Sequence, residues 1–233
     1  MPVYLQPAYV LHSRPYRETS LIFDVLTEEH GKVTLIAKGV RNKKSTTATA
    51  LLQPFIPLLV SYAGKSELRN LIHVELNPPN IGLKGIQLYC GFYLNELLNH
   101  LLQTNDPCFE IYQNYHQCLN LLQNNSDNIE AALRLFELDL LESLGYGLQL
   151  AYDFEQEKPI DAIKKYHYIP DQGAVMAENG HFSGMTLKAL QAKSLENQQS
   201  LAEAKRLMRQ VIDFHLQGRP LKSRSLIRAT HSK

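Results

Sequence analysis

The first third of the chain alternates between apolar and polar positions in the way that β-strands do. Runs of β-branched and apolar residues are separated by turn signals such as Glu28-Glu29-His30-Gly31. Five of these runs predict strands, at residues 9–12, 19–26, 32–38, 55–62 and 68–76. Ser13-Arg14-Pro15 closes the first run, and Pro54 and Pro57 indicate that the fourth strand lies at an edge or a bulge.

The same alternation assigns faces within the strands and suggests a barrel. Lys32 and Lys38 fall opposite an apolar face, with Ile36 as an exception, and Arg69 falls on the polar face of the fifth strand. Five short strands in about eighty residues suit a closed barrel of the oligonucleotide/oligosaccharide-binding type, the OB-fold. An SH3-like barrel would show nearly the same pattern, and the strands alone leave both open.

Asn77-Pro78-Pro79-Asn80 marks the point where strand period gives way to helix period. Wide apolar stripes then predict helices near residues 86–102, 107–122, 129–144, 187–195 and 201–216. Residues 146–185 are turn-rich and predict a small irregular subdomain with short strands. The expected fold class is α+β, with a five-stranded barrel domain at residues 1–79 and a helical domain at residues 80–233.

The formal net charge of +1 hides a strong segregation along the chain. Residues 1–78 carry nine Lys and Arg against six Asp and Glu, a net +3. Residues 79–185 carry five against fourteen, a net −9, and residues 186–233 carry ten against three, a net +7. Basic ends around an acidic middle suggest a polyanionic partner, although acidic helices are often simply solvated.

No arrangement of residues points to catalysis. The stretch from Gly39 to Ser45 superficially resembles a phosphate-binding P-loop, but it lacks the second Gly directly before the Lys-Ser pair. Cys90, Cys108 and Cys118 are widely spaced, with no Cys-x-x-Cys pair, and are expected to be reduced thiols packed as small apolar groups. We predict a protein that is not an enzyme and that holds no metal and no cofactor.

The apolar runs are too short to span a bilayer, and the first residues lack the basic and apolar regions of a signal peptide. These two observations predict a cytoplasmic protein with no membrane partner.

Two basic segments are the candidate nucleic-acid contacts. The loop after the third strand supplies Lys38, Arg41, Lys43 and Lys44 together with several hydroxyls, groups that contact phosphates. Arg14, Arg17 and Arg69 are secondary candidates, because they fall on barrel strands or at their ends. A flexible, solvated hairpin loop would show the same composition.

The second basic segment lies near the end of the chain. Lys205 and Arg209 share one helix face, and Lys222 and Arg224 follow. These four could bind phosphates or pair with the acidic middle segment, and both could hold at different residues.

The ordered combination of motifs is similar to the RecO family. The chain resembles that family at residues 8–20, 26–32, 37–41, 52–55, 93–98, 136–147 and 219–224, in the family's order and over nearly the whole length. The resemblance implies an N-terminal OB-fold followed by a helical domain, which settles the choice of barrel. Many members carry a four-Cys zinc module in the C-terminal domain. Residues 146–185 contain no Cys, so this chain resembles the zinc-less members.

The resemblance also implies function and partners. It implies binding of single-stranded and double-stranded DNA, annealing of complementary strands, and loading of RecA onto strands coated by SSB, together with RecR, in a bacterial cytoplasm near the nucleoid. SSB proteins end in a short acidic tail with a terminal Phe. Arg134, beside an apolar helical stripe in an acidic region, is the candidate for binding that tail's carboxylate. Pairing with Glu130 or Glu137 on the same helix is the alternative.

Three other functions are compatible with the residues alone. An OB-fold RNA-binding module would carry the same basic loop, and a protein adaptor could use basic ends to bind acidic partners. A hydrolase is the third and has no catalytic motif to support it.

Overall fold

The computed structural model describes residues 2–41, 50–124 and 128–226. They form two compact units. Unit 1 holds residues 2–124 together with 221–226, and unit 2 holds residues 128–220. No helix in these described ranges is both long enough and apolar enough to cross a membrane.

Unit 1 begins with a closed barrel of five strands, namely β1 (Val3–Tyr16), β2 (Ser20–Thr27), β3 (Gly31–Ala37), β4 (Leu58–Ala63) and β5 (Leu68–Leu76). Their order is β1-β2-β3-β5-β4, and β4 closes the ring by pairing with β1. The β3–β5 pair is parallel, whereas a barrel made only of consecutive hairpins would be antiparallel throughout. The predicted α+β class and the OB-type barrel are confirmed.

Two barrel strands differ from their predicted bounds. β1 is longer at both ends than the strand predicted at residues 9–12, and it begins at Val3. This strand runs on to Tyr16 instead of ending at His12, because Arg14 and Pro15 continue to pair with β2. Its pairing with β4 covers only residues 3–8, so Pro15 lies on an edge that needs no further N–H donor. The fourth strand starts after Pro57 rather than at Phe55.

The predicted faces hold in β3, where Val33, Leu35 and Ala37 lie in the core, but in β5 they fail at Arg69 and at Ile72, which is exposed. In β5, Ser61 pairs with His73 but Tyr62 pairs with Leu71, so Ile72 is an extra residue in the ladder. This bulge reverses the alternation and places Arg69 on the inner face, where the pattern had put it outside. In β3, Lys32 is buried because its Nζ donates to the Asn99 carbonyl, 2.7 Å away.

Two helices, α1 (Gly85–Leu101) and α2 (Phe109–Asn124), cover part of the barrel. Buried Asn95 on α1 donates from Nδ2 to the carbonyls of Val10 and Leu11, at 3.2 and 3.0 Å. Tyr115 on α2 in turn donates to Asn95 Oδ1 at 2.5 Å. These bonds satisfy carbonyls left over at the β1 bulge between Val10 and His12. The predicted boundary after residue 79 falls just before these helices, and it stays a prediction.

Unit 2 contains the helices α3 (Ile129–Ser143), α4 (Gly184–Gln191) and α5 (Gln198–His215) and a small antiparallel sheet. The sheet consists of β6 (Lys165–Ile169), β7 (Gly173–Met176) and β8 (Phe182–Ser183), with β6 in the centre. Glu203 on α5 accepts hydrogen bonds from the Ser183 amide and hydroxyl and from the Thr186 hydroxyl, at 2.7 to 2.8 Å. The carboxylate therefore fixes the start of α4 to α5. The short strands predicted within 146–185 are confirmed.

Candidate nucleic-acid interface

One end of the barrel is formed by exposed residues. Residues 12–18, which form the far part of β1 and the turn into β2, are all exposed. Residue Ala37 at the end of β3 pairs with Leu21, and Lys38 continues one residue beyond it, also exposed. We call the exposed Arg14, Arg17, Lys38 and Arg41 at this end the basic rim.

Two hydrogen bonds from Arg41 hold the basic rim together. The Arg41 amide donates to the Thr19 carbonyl at 3.0 Å, and Arg41 Nη1 donates to the Arg17 carbonyl at 3.4 Å. The loop that leaves β3 is thereby tied to the β1–β2 turn. Glu18 is the one acidic residue among residues 12–18, so this end of the barrel carries a net positive charge. Such an arrangement attracts a polyanion and supplies donors to phosphate oxygens.

The opposite end of β2 and β3 is covered by the loop between α1 and α2. The Asn105 amide donates to the Lys32 carbonyl at 2.8 Å. Gly31 has a φ of 64°, and a Cβ there would overlap the Asp106 carbonyl, so the loop and the β2–β3 turn touch. OB-folds bind ligands on the face of strands 2 and 3 and the loops around it. Among the described residues of unit 1, the basic rim and residues 64–67 of the β4–β5 loop are exposed parts of that region.

Arg69 does not belong to the basic rim. Its guanidinium lies over the Tyr62 ring, 5.5 Å from the centroid, and its Nη2 donates to Asn105 Oδ1 at 2.6 Å. Burial raises the pKa of the Tyr62 phenol, and the charge of Arg69 acts in the opposite direction. Arg69 therefore packs against the barrel and the α1–α2 loop. Lys43 and Lys44 lie outside the described residues.

The four C-terminal candidates fall into two groups. In unit 2, Lys205 donates to Glu130 Oε1 at 2.6 Å, and Arg209 lies 3.6 Å from Asp213. In unit 1, Lys222 is exposed and the Arg224 guanidinium lies 6.0 Å from the centre of the Tyr93 ring. Lys205 thus pairs with the acidic middle segment, as one of the two sequence interpretations allowed, whereas Arg209 pairs within its own helix.

Arg134 lies on α3 and is buried, with 6% of its surface exposed. Its Nη2 donates to Glu137 Oε1 on the next turn. This is one of the two pairings that the sequence offered as an alternative to a tail-binding role. The proposal of a carboxylate clamp at Arg134 stays a prediction.

Thiols and other possible metal ligands are dispersed. Cys90 and Cys118 are buried and Cys108 is half-buried. Within residues 2–41, 50–124 and 128–226, no three His, Cys, Asp or Glu side chains come together as a metal site would require.

Sequence reasoning missed Tyr16, which lies between Arg14 and Arg17 on the exposed part of β1. The Arg17 guanidinium lies 5.2 Å from the centre of its ring. The available signal was an aromatic residue inside a basic stretch, in a chain region expected to bind nucleic acid.

Comparison with known proteins identifies the family. Residues 1–79 match the family model described as Recombination protein O N terminal, and residues 83–225 match Recombination protein O C terminal. A DNA repair protein RecO from Methylococcus capsulatus is 48% identical over 230 residues, covering 98% of this chain and 94% of that protein. Those of Nitrosococcus oceani and Shigella boydii are 46% and 43% identical, covering 97% and 96% of this chain and 94% and 93% of those proteins. The chain therefore belongs to the RecO family of DNA repair and recombination proteins.

Proposed function

We propose that this protein binds single-stranded DNA through the basic rim and anneals complementary strands there. The supporting observation is the clustering of the exposed residues Arg14, Arg17, Lys38 and Arg41 at one end of the barrel. Members of the RecO family are non-enzymatic mediators, and membership confirms the prediction that the chain is not an enzyme.

Annealing needs no catalytic residue. Two strands repel each other through their phosphates, and a surface that neutralises both lowers that barrier. Base pairing then supplies the driving force, at ~1.4 kcal/mol per stacked step. A basic surface without a nucleotide-hydrolysis site is therefore sufficient for the reaction.

The test replaces two residues of the basic rim, Lys38 and Arg41, together with Lys43 and Lys44, which follow them in the sequence, by Ala. Affinity for single strands of unrelated sequence should fall to a similar extent for each. The slope of log affinity against log salt should shrink by about 0.7 per lost phosphate contact, so by up to ~3 units. Annealing of labelled complementary oligonucleotides should slow in parallel.

A matched control removes the same charge from unit 2. Lys158, Lys164, Lys165 and Lys188 are all exposed and are not candidate contacts. Their replacement by Ala should leave the salt slope unchanged. Equal slopes for the two variants would refute the rim as the DNA site. Competition between single-stranded DNA, duplex and RNA separates this function from an RNA-binding module.

We further propose that the protein loads RecA onto SSB-coated strands with RecR. RecO family members interact in general with DNA, RecR and SSB, which supports this step. We place the contact with the SSB tail at Arg134, whose charge and apolar helical neighbours suit a carboxylate next to an aromatic ring. In the described state Glu137 occupies that guanidinium, so tail binding would require the pair to rearrange.

We also propose that this chain folds without zinc. Residues 146–185 contain no Cys to serve as ligands. In their place, the buried Asp153 carboxylate accepts hydrogen bonds from the amides of Glu155, Gln156 and Met176, at 3.0, 2.7 and 2.6 Å. A carboxylate with three backbone donors can fix a turn that would otherwise need another cross-link.

A further inference from the structure

We infer that Tyr16 stacks against a base of single-stranded DNA held at the basic rim. The inference rests on the proposed function, since it specifies how the rim distinguishes one form of DNA from another. Tyr16 pairs with Ser20 and Arg14 pairs with Ile22, so the two side chains project from the same face of β1. Lys38 follows Ala37, the partner of Leu21, and therefore lies level with Ser20.

The ring of Tyr16 is accessible and already accompanied by a cation. The residue is 36% exposed, and the Arg17 guanidinium lies 5.2 Å from the ring centre. Arg17 has a φ of 52°, and its carbonyl accepts a hydrogen bond from Arg41, so Arg41 lies beside the turn that carries the ring and Arg17. Single-strand-binding proteins combine a basic groove with aromatic side chains in this way.

Stacking on Tyr16 selects single strands over duplex. In a duplex both faces of an internal base are covered by its neighbours, whereas an unpaired strand can offer a base face to the ring. The rim cations can contact phosphates of either form. A strand held through Tyr16 loses this contact once its bases pair and stack, which favours release of the annealed product.

Tyr4 provides a matched control on the same strand. It is also a tyrosine of β1 and is more exposed, at 69%, but it lies at the other end of the strand. Its sequence neighbours Pro2, Val3, Leu5 and Gln6 carry no charge. A general effect of losing an exposed tyrosine would appear at both positions.

The chain contains no Trp, so one introduced Trp reports on its own surroundings. Tyr16→Trp and Tyr4→Trp are titrated with oligothymidylate, with an abasic oligonucleotide of equal length, and with duplex. Oligothymidylate should quench the emission of Tyr16→Trp, and the abasic strand should bind without comparable quenching. Equal quenching of Tyr4→Trp would overturn the inference, because the signal would then not depend on the rim.

Affinities of Tyr16→Ala and Tyr16→Phe complete the test. Tyr16→Ala should bind oligothymidylate roughly five-fold to a hundred-fold more weakly, which is the range for one stacked base. Its affinity for the abasic strand and the salt slope should match those of the parent, because no charge is lost. Tyr16→Phe should bind like the parent, since the ring remains.

Two outcomes would overturn the inference while leaving the proposed function intact. One is parental affinity of Tyr16→Ala for oligothymidylate alongside weak binding by the Lys38, Arg41, Lys43 and Lys44 variant. The other is an equal loss for the abasic strand, which would mean that Tyr16 only positions Arg17. Failure of the parent protein to bind DNA would instead refute the proposed function itself.

Discussion

Glu96 on α1 holds the last described segment of the chain, and its replacement should release that segment. Its Oε1 accepts a hydrogen bond from the Lys222 amide at 2.8 Å, and its Oε2 accepts from the Ser223 amide and hydroxyl at 2.9 and 2.6 Å. Residues 223–226 form a short helical turn. Glu96 therefore satisfies amides at the start of that turn, which would otherwise lack partners.

The size of the effect follows from these three bonds. A hydrogen bond to a charged group contributes ~1.5–3 kcal/mol net when buried. Glu96 is only partly buried, and water replaces part of the interaction when the segment leaves, so about 2 kcal/mol is a reasonable total. Glu96→Ala should then raise the population with residues 221–226 detached by about 30-fold. Leu221, which is buried, keeps some attachment.

Trypsin measures this population, because it cuts after Lys222 and Arg224 only when the segment is detached. When cleavage is slow relative to reattachment, the cleavage rate is proportional to the detached fraction. Peptides released from Glu96→Ala should therefore appear about 30-fold faster, as followed by mass spectrometry, and Glu96→Gln should fall in between. Glu110→Ala, at an exposed glutamate in the first turn of α2, is the control. Release at the parental rate from Glu96→Ala would refute the role of the carboxylate.

The attachment should also depend on pH. Burial pushes the pKa of Glu96 upward, but the hydrogen bonds from Ser223 and Lys222 together outweigh it, so the pKa lies below the usual value for Glu. A lowered pKa means that the contribution is complete above the pKa of the detached state. It is lost as pH falls through the pKa of the attached state. Hydrogen exchange of the Lys222 and Ser223 amides should therefore show weaker protection only in acid.

Three further predictions concern unit 2. Burial pushes the pKa of Glu203 upward, but hydrogen bonds from Ser183, Gln199 and Thr186 bring it below the usual value. Because the charged carboxylate accepts these bonds, Glu203→Gln should lower the free energy of unfolding at pH 7 by ~1–3 kcal/mol. Urea titration should show this difference shrinking as pH falls through the lowered pKa, and a constant difference would contradict the charge argument. Elemental analysis should find no stoichiometric zinc; about one zinc per chain, with unfolding on chelation, would disprove the zinc-less proposal. Arg134→Ala should weaken binding of a fluorescent SSB tail peptide by ~1–3 kcal/mol without changing DNA binding. Unchanged peptide affinity would show that another residue binds the tail carboxylate.

The sequence predicts most of the fold because its apolar periods are regular. Every barrel strand and each of the helices α1 to α5 was expected close to its observed place, since apolar positions repeat with the period of the element. Errors arose where local periodicity is interrupted. The bulge at Ile72 reverses the face of Arg69, and a bulge depends on pairing with a strand that lies elsewhere in the sequence. The burial of Lys32 likewise depends on Asn99, 67 positions away.

The candidate interface was predictable only in part. Composition alone identified Arg14, Arg17, Lys38 and Arg41 as cations near strand ends, and the register places them at one end of the barrel. The sequence could not show which cations form ion pairs with carboxylates, because Lys205 and Glu130 are 75 positions apart. The basic neighbours of Tyr16 are visible in the sequence, but the strand register that brings its ring level with the end of β3 is not.

The return of residues 221–226 to unit 1 has a consequence for how the protein is made. Residues 128–220 form unit 2 and are inserted into unit 1, whose last described part is synthesised after them. On the ribosome the barrel can close as soon as β5 has emerged, whereas α1 must wait for nearly the whole chain before Glu96 meets Lys222 and Ser223. A chain cut short after α5 would therefore fold its barrel and still leave one face of α1 uncovered. Residues 221–226 can thus cover α1 only after unit 2 has been translated.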